Sequence, residues 1–178
     1  MNVSPDILEK AISFAIEKHK NVRRKGNNAP YILHPLSVLH TLLDIKRSKN
    51  AFLLATVSVL HDVVEDCDVT IDEIATLFGY QVASMVEELT SDKEKIKKLG
   101  KTQYLIEKMV HMSSYSLCIK LVDRLCNIKD MVDMKEDFID KQIESTKLIL
   151  EALISNRKLT KTHKLIVKKI KKEMKKYA

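Results

Sequence analysis

Glycine and proline are scarce along this chain, with three of each in 178 residues. Because both residues interrupt helices, their scarcity permits long helical segments. Apolar residues also recur at helical spacing, as in the N-terminal stripe that contains Ile7, Leu8, Ile12 and Ile16. No segment shows the strict alternation that is typical of a strand. The sequence therefore predicts an all-α fold.

Local signals mark where several helices begin and end. Ser4 is a predicted N-cap with Pro5 at the first helical position, Thr70 and Glu73 form a predicted capping box, and Gly79 ends that helix. The charged segment 91–101 is predicted to be a mobile connection. The predicted helices cover residues 5–20, 34–45, 50–66, 70–78, 82–89, 102–111, 114–132, 137–155 and 160–176.

Length and cysteine usage favour one domain, residues 1–178, in a reducing compartment. Cys67, Cys118 and Cys126 are widely spaced and form no pair typical of a disulfide framework or a structural zinc site. The N-terminus has no signal-peptide pattern, and no apolar run approaches the roughly 20 residues of a membrane span. We therefore expect a cytoplasmic protein with no membrane partner, and the sequence indicates nothing about its oligomeric state.

The net charge of +7 is concentrated toward the lysine-rich C-terminus. One interpretation is a solvated helix, and the other is a surface for an anionic partner. Aromatic residues make up 5% of the chain, and no alternation of basic and aromatic residues of the base-stacking kind occurs. A nucleic-acid partner is therefore not expected.

The segment HDVVED, residues 61–66, places an imidazole and three carboxylates within an otherwise apolar stretch. On a continuous helix, Glu65, Asp62 and Asp66 lie about 40°, 100° and 140° around the axis from His61. The four polar side chains then share one side, while Val63 and Val64 point elsewhere. Such a group suits a hard divalent cation, and the imidazole favours Mn²⁺ over Mg²⁺.

Other segments must complete such a coordination shell. His34, which ends the segment PYILH, is one candidate, and Asp123 in an apolar frame is another, with Asn127 on the same helical face. Simpler interpretations stay open at this point. The histidines would then be structural, the acidic cluster would be an exposed face, and Asp123 would form a surface ion pair with Arg124.

Taken together, three segments resemble the HD-domain metal-dependent phosphohydrolases. The segments are RRK followed by PYILHP, then LHDVVEDCDVTIDEIATLFGYQVASMVEELTSDK, then IKLVDRLCNIKDM. Within that family they are similar to the hydrolase domain of the RelA/SpoT proteins, and above all to the single-domain small alarmone hydrolases of the animal type. The resemblance implies a helical catalytic core at about 8–132, followed by C-terminal helices at 133–178.

The resemblance also implies a site and a reaction. Its implied metal ligands, for Mn²⁺, are His34, His61, Asp62 and Asp123, and its implied catalytic pair is Glu65 and Asp66. Its implied nucleotide contacts are Arg24, Lys25 and Asn127, and Arg23 competes with Arg24 for the same position. From the charged segment 91–101, we further expect Lys97 to reach a distal phosphate. The implied reaction removes the 3′-pyrophosphate from ppGpp or pppGpp, and synthesis of the alarmone is not expected.

Two other functions compete with this one. The same site could serve an NADPH 2′-phosphatase or another nucleotide phosphohydrolase, and a degenerate HD fold with a basic tail could bind nucleotides or nucleic acid without catalysis. The complete set of metal-competent residues disfavours the second alternative. Cys67, where the family usually has threonine, is expected to be an inert thiol.

Overall fold

A computed structural model describes residues 3–24, 26 and 28–177 of the chain. These residues contain no strand, only an isolated antiparallel bridge between Arg23 and Pro30. The all-α prediction is therefore confirmed. In chain order, the helices are α1 (Pro5–Lys18), α2 (Leu33–Ile45), α3 (Ala51–Leu60), α4 (Val63–Asp66), α5 (Ile71–Phe78), α6 (Tyr80–Leu89), α7 (Lys93–Leu99), α8 (Lys101–His111), α9 (Ser114–Lys129), α10 (Glu136–Asn156) and α11 (Lys161–Met174), with a 3₁₀ turn, η1 (Lys175–Tyr177).

The predicted helix boundaries agree with the structure where a capping residue marks them. Pro5 begins α1 directly after Ser4. The Thr70 hydroxyl accepts a hydrogen bond from the Glu73 backbone N–H at 3.1 Å, which caps α5. Gly79 separates α5 from α6 with φ of +87°, a left-handed conformation that glycine adopts without steric cost.

Two predicted elements differ from the structure. The helix expected over 50–66 stops at Leu60 and resumes as the short α4. In a continuing helix the Ser58 carbonyl would accept the Asp62 N–H, but it accepts His61 Nδ1 at 2.7 Å. The connection expected over 91–101 is also wrong in part, because Lys93–Leu99 forms α7, with the Asp92 carboxylate accepting from the Lys95 N–H at 3.0 Å.

The described residues form two compact units, and the first, Met1–Thr90, is built around α3. Every side chain from Leu53 to Leu60 is buried, and α1, α2 and α6 pack against this helix. A helix that is apolar on all sides belongs inside a core. The polar residues that follow α3 therefore begin where the core of this unit ends.

The second unit, Ser91–Ala178, is organised around α9, most of whose residues are buried. Helix α11 packs against α9, and α8 contacts both α7 and α10. The prediction of one domain over 1–178 stays a prediction. Among the described residues, no helix combines the length and apolar character that crossing a membrane requires.

Candidate metal centre and active site

His61 lies at the break between α3 and α4 with only 1% of its surface exposed. Its Nδ1 atom lies 2.7 Å from the Ser58 carbonyl oxygen. Because a carbonyl only accepts, Nδ1 carries the proton, and in neutral His61 the lone pair is on Nε2. Nε2 lies 3.0 Å from Asp62 Oδ2. A hydrogen bond from the second ring nitrogen is the usual way in which a metal-binding histidine is oriented.

His34, in the first turn of α2, approaches the same carboxylate from another element. It is 2% exposed, and its Nε2 lies 3.7 Å from Asp62 Oδ2. The His34 and His61 rings lie 5.5 Å apart, with a nitrogen of one within 4.8 Å of a nitrogen of the other. The lone pair of His61 Nε2 and the Asp62 carboxylate oxygen are both acceptors, and they repel each other unless a proton or a cation lies between them. These two imidazoles and the Asp62 carboxylate therefore fit a divalent cation.

Tyr31 belongs to this group, although the sequence suggested no role for it. Its hydroxyl donates to Asp62 Oδ2 at 2.7 Å. Burial raises the pKa of the Tyr31 phenol, and the carboxylates of Asp62 and Asp66 raise it further, so the hydroxyl stays protonated and remains a donor. Its position three residues before His34, at the entrance to a helix, was the available signal, since that spacing brings side chains together.

The predicted catalytic pair lies on α4, one turn beyond His61 and Asp62. Glu65 is half-buried and Asp66 is exposed. The Asp62 carbonyl accepts the backbone N–H groups of Glu65 at 3.1 Å and Asp66 at 3.0 Å, which closes this turn. Because the helix breaks at Asp62, the angles of a continuous helix do not describe this arrangement.

The basic segment before Tyr31 folds back on itself as a short hairpin. Arg24 N–H donates to the Ala29 carbonyl at 2.8 Å, and Tyr31 N–H donates to the Val22 carbonyl at 3.0 Å. The Arg24 guanidinium is half-buried and lies 5.7 Å from the centre of the Tyr31 ring, whereas Arg23 is exposed. This geometry favours Arg24 over Arg23 as the inward-facing residue. Lys25, a predicted nucleotide contact, lies outside the described residues.

Asp123 lies in the second unit, on α9, with 6% of its surface exposed. Lys120 Nζ lies 3.0 Å from its Oδ2, and the Asn127 amide donates to its Oδ1 at 2.6 Å. The Arg124 guanidinium donates to the Thr146 hydroxyl at 3.3 Å, and burial lowers its pKa. Asp123 is therefore a buried carboxylate in contact with Lys120 and Asn127, and it does not lie on the surface. Lys97 is exposed on α7.

Comparisons with known proteins show which family this chain is similar to. The family model described as "HD domain" matches residues 11–158. The human guanosine-3′,5′-bis(diphosphate) 3′-pyrophosphohydrolase MESH1 is 38% identical over 125 residues, which is 70% of this chain and 69% of the human protein. The Drosophila melanogaster protein of the same name is 33% identical over 67% of this chain and 66% of its own length.

A bacterial relative and a solved structure extend the likeness to nearly the whole chain. The guanosine-3′,5′-bis(diphosphate) 3′-pyrophosphohydrolase of Aquifex aeolicus is 32% identical over 96% of this chain, which corresponds to 23% of that longer protein. The structure of a metazoan orthologue of SpoT, described as hydrolysing ppGpp, matches with a TM-score of 0.79 over 96% of both chains at 24% identity, which shows a shared fold. The chain therefore belongs to the HD-domain family and, within it, to the group that contains the MESH1 pyrophosphohydrolases.

Proposed function

We propose that this chain is a metal-dependent guanosine-3′,5′-bis(diphosphate) 3′-pyrophosphohydrolase that converts ppGpp to GDP and pppGpp to GTP, releasing pyrophosphate. The observation that carries the proposal is the approach of two buried histidine Nε2 atoms to one Asp62 oxygen, at 3.0 and 3.7 Å. It occurs in a chain whose relatives in animals and bacteria bear this activity in their names. We place the reaction in the cytoplasm.

The proposed metal ligands are His34, His61, Asp62 and Asp123, and the proposed ion is Mn²⁺. Imidazole and carboxylate together suit Mn²⁺ better than Mg²⁺ or Ca²⁺, which prefer oxygen alone. Asp123 is included because it is a buried carboxylate whose Lys120 and Asn127 partners favour the ionised, ligating form. Asp62, Glu65 and Asp66 can also serve distinct tasks, since Asp62 contacts both imidazoles and the other two carboxylates follow it on the next turn.

The bound ion would supply Lewis-acid activation of a water molecule and neutralise charge on the phosphate. We assign Glu65 to accept a proton from the attacking water and Asp66 to orient that water. Both carboxylates follow Asp62 on one turn of helix. The water oxygen bonds to the phosphorus on the 3′ side, the bond from that phosphorus to the ribose oxygen breaks, and the 3′ oxygen takes up a proton.

The proposed substrate contacts are cationic or amide side chains around this reaction. Arg24 is suited to bidentate binding of a phosphate, and Lys25 follows it in the sequence. Arg23 and Lys97 are exposed and reach solvent, where a distal diphosphate would lie. The Asn127 amide is assigned to the nucleotide while it also holds Asp123.

The test is product identity with a defined metal content. Metal-stripped protein is incubated with ppGpp, with and without Mn²⁺, and the products are separated by ion-exchange chromatography. We expect equal amounts of GDP and pyrophosphate with Mn²⁺, and neither product after chelation. Absence of turnover in the protein supplied with Mn²⁺ would refute the proposal, and faster phosphate release from NADPH at equal concentration would replace it with the phosphatase activity.

A further inference from the structure

Tyr31 is the point at which the candidate metal ligands and the basic hairpin meet. Its hydroxyl donates to Asp62 Oδ2 at 2.7 Å. The same oxygen faces His61 Nε2 at 3.0 Å and His34 Nε2 at 3.7 Å. An ionised carboxylate rotates freely unless hydrogen bonds hold it, so the phenol selects the orientation in which Oδ2 is directed at both imidazoles.

The Tyr31 ring is itself held in place by its neighbours. It stacks on the buried His19 ring at 5.1 Å with an interplanar angle of 18°, and His19 Nδ1 donates to the Ala15 carbonyl at 2.9 Å. The His34 ring lies edge-to-face with the Tyr31 ring, and the two ring centres are 5.9 Å apart. The backbone of Tyr31 is fixed by its bond to Val22. The phenol is therefore in position before any ligand binds.

The same ring also supports the arginine of the hairpin. The Arg24 guanidinium carbon lies 5.7 Å from the ring centre, within the range of a cation–π contact. A planar guanidinium held over an aromatic ring loses less freedom when it binds a phosphate than one on a free side chain. Thus one side chain contacts a candidate metal ligand through its oxygen and a candidate phosphate ligand through its ring.

We propose that Tyr31 is a positioning residue with two separable parts: its hydroxyl orients Asp62 for the metal ion, and its ring orients Arg24 for the substrate phosphate. This inference rests on the proposed function. The competing explanation is that Tyr31 only fills space between α1 and α2. The two explanations differ in what happens when the oxygen alone is removed.

The experiment compares Tyr31→Phe with Tyr31→Leu. Tyr31→Phe keeps the ring and removes the hydroxyl, so the dissociation constant for Mn²⁺ should rise about 10- to 100-fold, as for other partners of metal ligands, while KM for ppGpp at saturating Mn²⁺ changes less than about twofold. Tyr31→Leu removes both parts, so both constants should rise. Mn²⁺ binding is measured without substrate, by calorimetry or by the electron paramagnetic resonance of free Mn²⁺.

Two further variants keep the result unambiguous. Tyr177→Phe is the matched control, because it removes a phenol hydroxyl that donates to the Ile128 carbonyl at 2.8 Å and should change neither constant. Should Tyr31→Leu not fold, Arg24→Ala replaces it, and is expected to raise KM while leaving Mn²⁺ affinity unchanged. Unaltered Mn²⁺ affinity in Tyr31→Phe would overturn the role of the hydroxyl. A KM in Tyr31→Leu equal to that of Tyr31→Phe would overturn the role of the ring. Failure of the unsubstituted protein to bind Mn²⁺ or to hydrolyse ppGpp would instead refute the proposed function.

Discussion

The acidic residues of one short segment are assigned different tasks because their surroundings differ. Asp62 contacts His61 and His34 and accepts a hydrogen bond from the Tyr31 hydroxyl, so its carboxylate is held in place. Glu65 and Asp66 lie one turn further on and are more open to solvent. A ligand must be held in place, whereas a group that exchanges a proton with water must reach solvent or substrate.

This difference predicts that two substitutions, both of which reduce turnover, differ in their effect on metal binding. Asp62→Ala should lose both Mn²⁺ binding and ppGpp hydrolysis. Glu65→Gln should keep Mn²⁺ binding and lose about 10²- to 10⁴-fold in turnover, the usual contribution of a general base. Metal affinity is measured by calorimetry and turnover by release of pyrophosphate. Asp68→Asn, an exposed acid in the same segment, is the control and should retain both. Loss of the metal in Glu65→Gln would reassign Glu65 as a ligand.

Cys67 is the thiol beside the proposed catalytic pair. Its Sγ donates to the Lys18 carbonyl at 3.4 Å. Burial raises the pKa of this thiol and the Asp66 carboxylate raises it further, only partly offset by Lys18. A raised pKa means a smaller thiolate fraction at any given pH, and the thiolate is the reactive form.

We therefore expect Cys67 to react with iodoacetamide at pH 8 more slowly than an unstructured cysteine, with the rate still rising as the pH passes 9. Peptide mass spectrometry separates its labelling from that of the buried Cys118 and Cys126. The same protein labelled in urea provides the unstructured reference for each cysteine. Rapid modification of Cys67 at pH 7 in the folded protein would contradict this and revive a role in redox sensing.

Several helices depend on side chains from elsewhere in the chain to close their ends. The last carbonyls of a helix have no partner within it. At the end of α8, the Arg157 guanidinium donates to the carbonyls of Met109, Val110 and Met112 at 3.1, 3.0 and 2.6 Å. Arg157 is separated from them in the sequence by α9 and α10, so this closure is a tertiary contact inside the second unit.

Arg157→Ala should therefore destabilise the protein by about 1 to 3 kcal/mol, since it leaves three partly buried carbonyls without their charged donor. The measurement is urea unfolding followed by circular dichroism, read as the shift in midpoint. Lys158→Ala, at the neighbouring exposed position, should shift the midpoint little. Equal midpoints for the two variants would show that the contacts of Arg157 contribute nothing to stability.

The distribution of charge sets the last segment apart from the rest of the molecule. Residues 161–178 contain eight lysines and one glutamate, so they carry the whole net charge of +7 and leave 23 basic and 23 acidic residues in the remainder. The apolar side of α11 is buried, whereas these lysines are exposed. Like charges three and four residues apart repel on a helix. The packing of its apolar side therefore stabilises α11, while repulsion among its lysines destabilises it.

A single charge reversal should relieve part of this repulsion. Lys164→Glu places an acid in the first turn of α11, four residues before Lys168, and should stabilise the protein by about 0.5 to 1 kcal/mol at low ionic strength. Lys164→Gln, which removes the charge without reversing it, should give a smaller gain. Thermal unfolding at low salt and near 1 M salt measures both, because screening should remove most of the difference. A gain that is independent of salt would rule out the electrostatic explanation.

Local pattern was enough to establish the all-α class and most helix positions, because apolar periodicity and caps act over a few residues. It also identified His34, His61, Asp62 and Asp123 as chemically suitable ligands, although their ligation remains a proposal. It failed at His61 and Asp62, where the helix is interrupted and the Ser58 carbonyl accepts from the His61 ring. It also failed over 91–101, where a run of charged residues forms a helix.

Long-range packing determines which side-chain atoms contact one another in the candidate site. The approach of His34 and His61 to one oxygen of Asp62 depends on how α2 packs against α3. The contact of Tyr31 with the same oxygen joins residues that are 31 positions apart in the sequence. In the sequence, Tyr31 is marked only by its position three residues before His34, and an aromatic residue before a helix is most often part of a core. Periodicity predicts the helical face on which a residue lies. The helices that pack against that face determine which atoms come into contact.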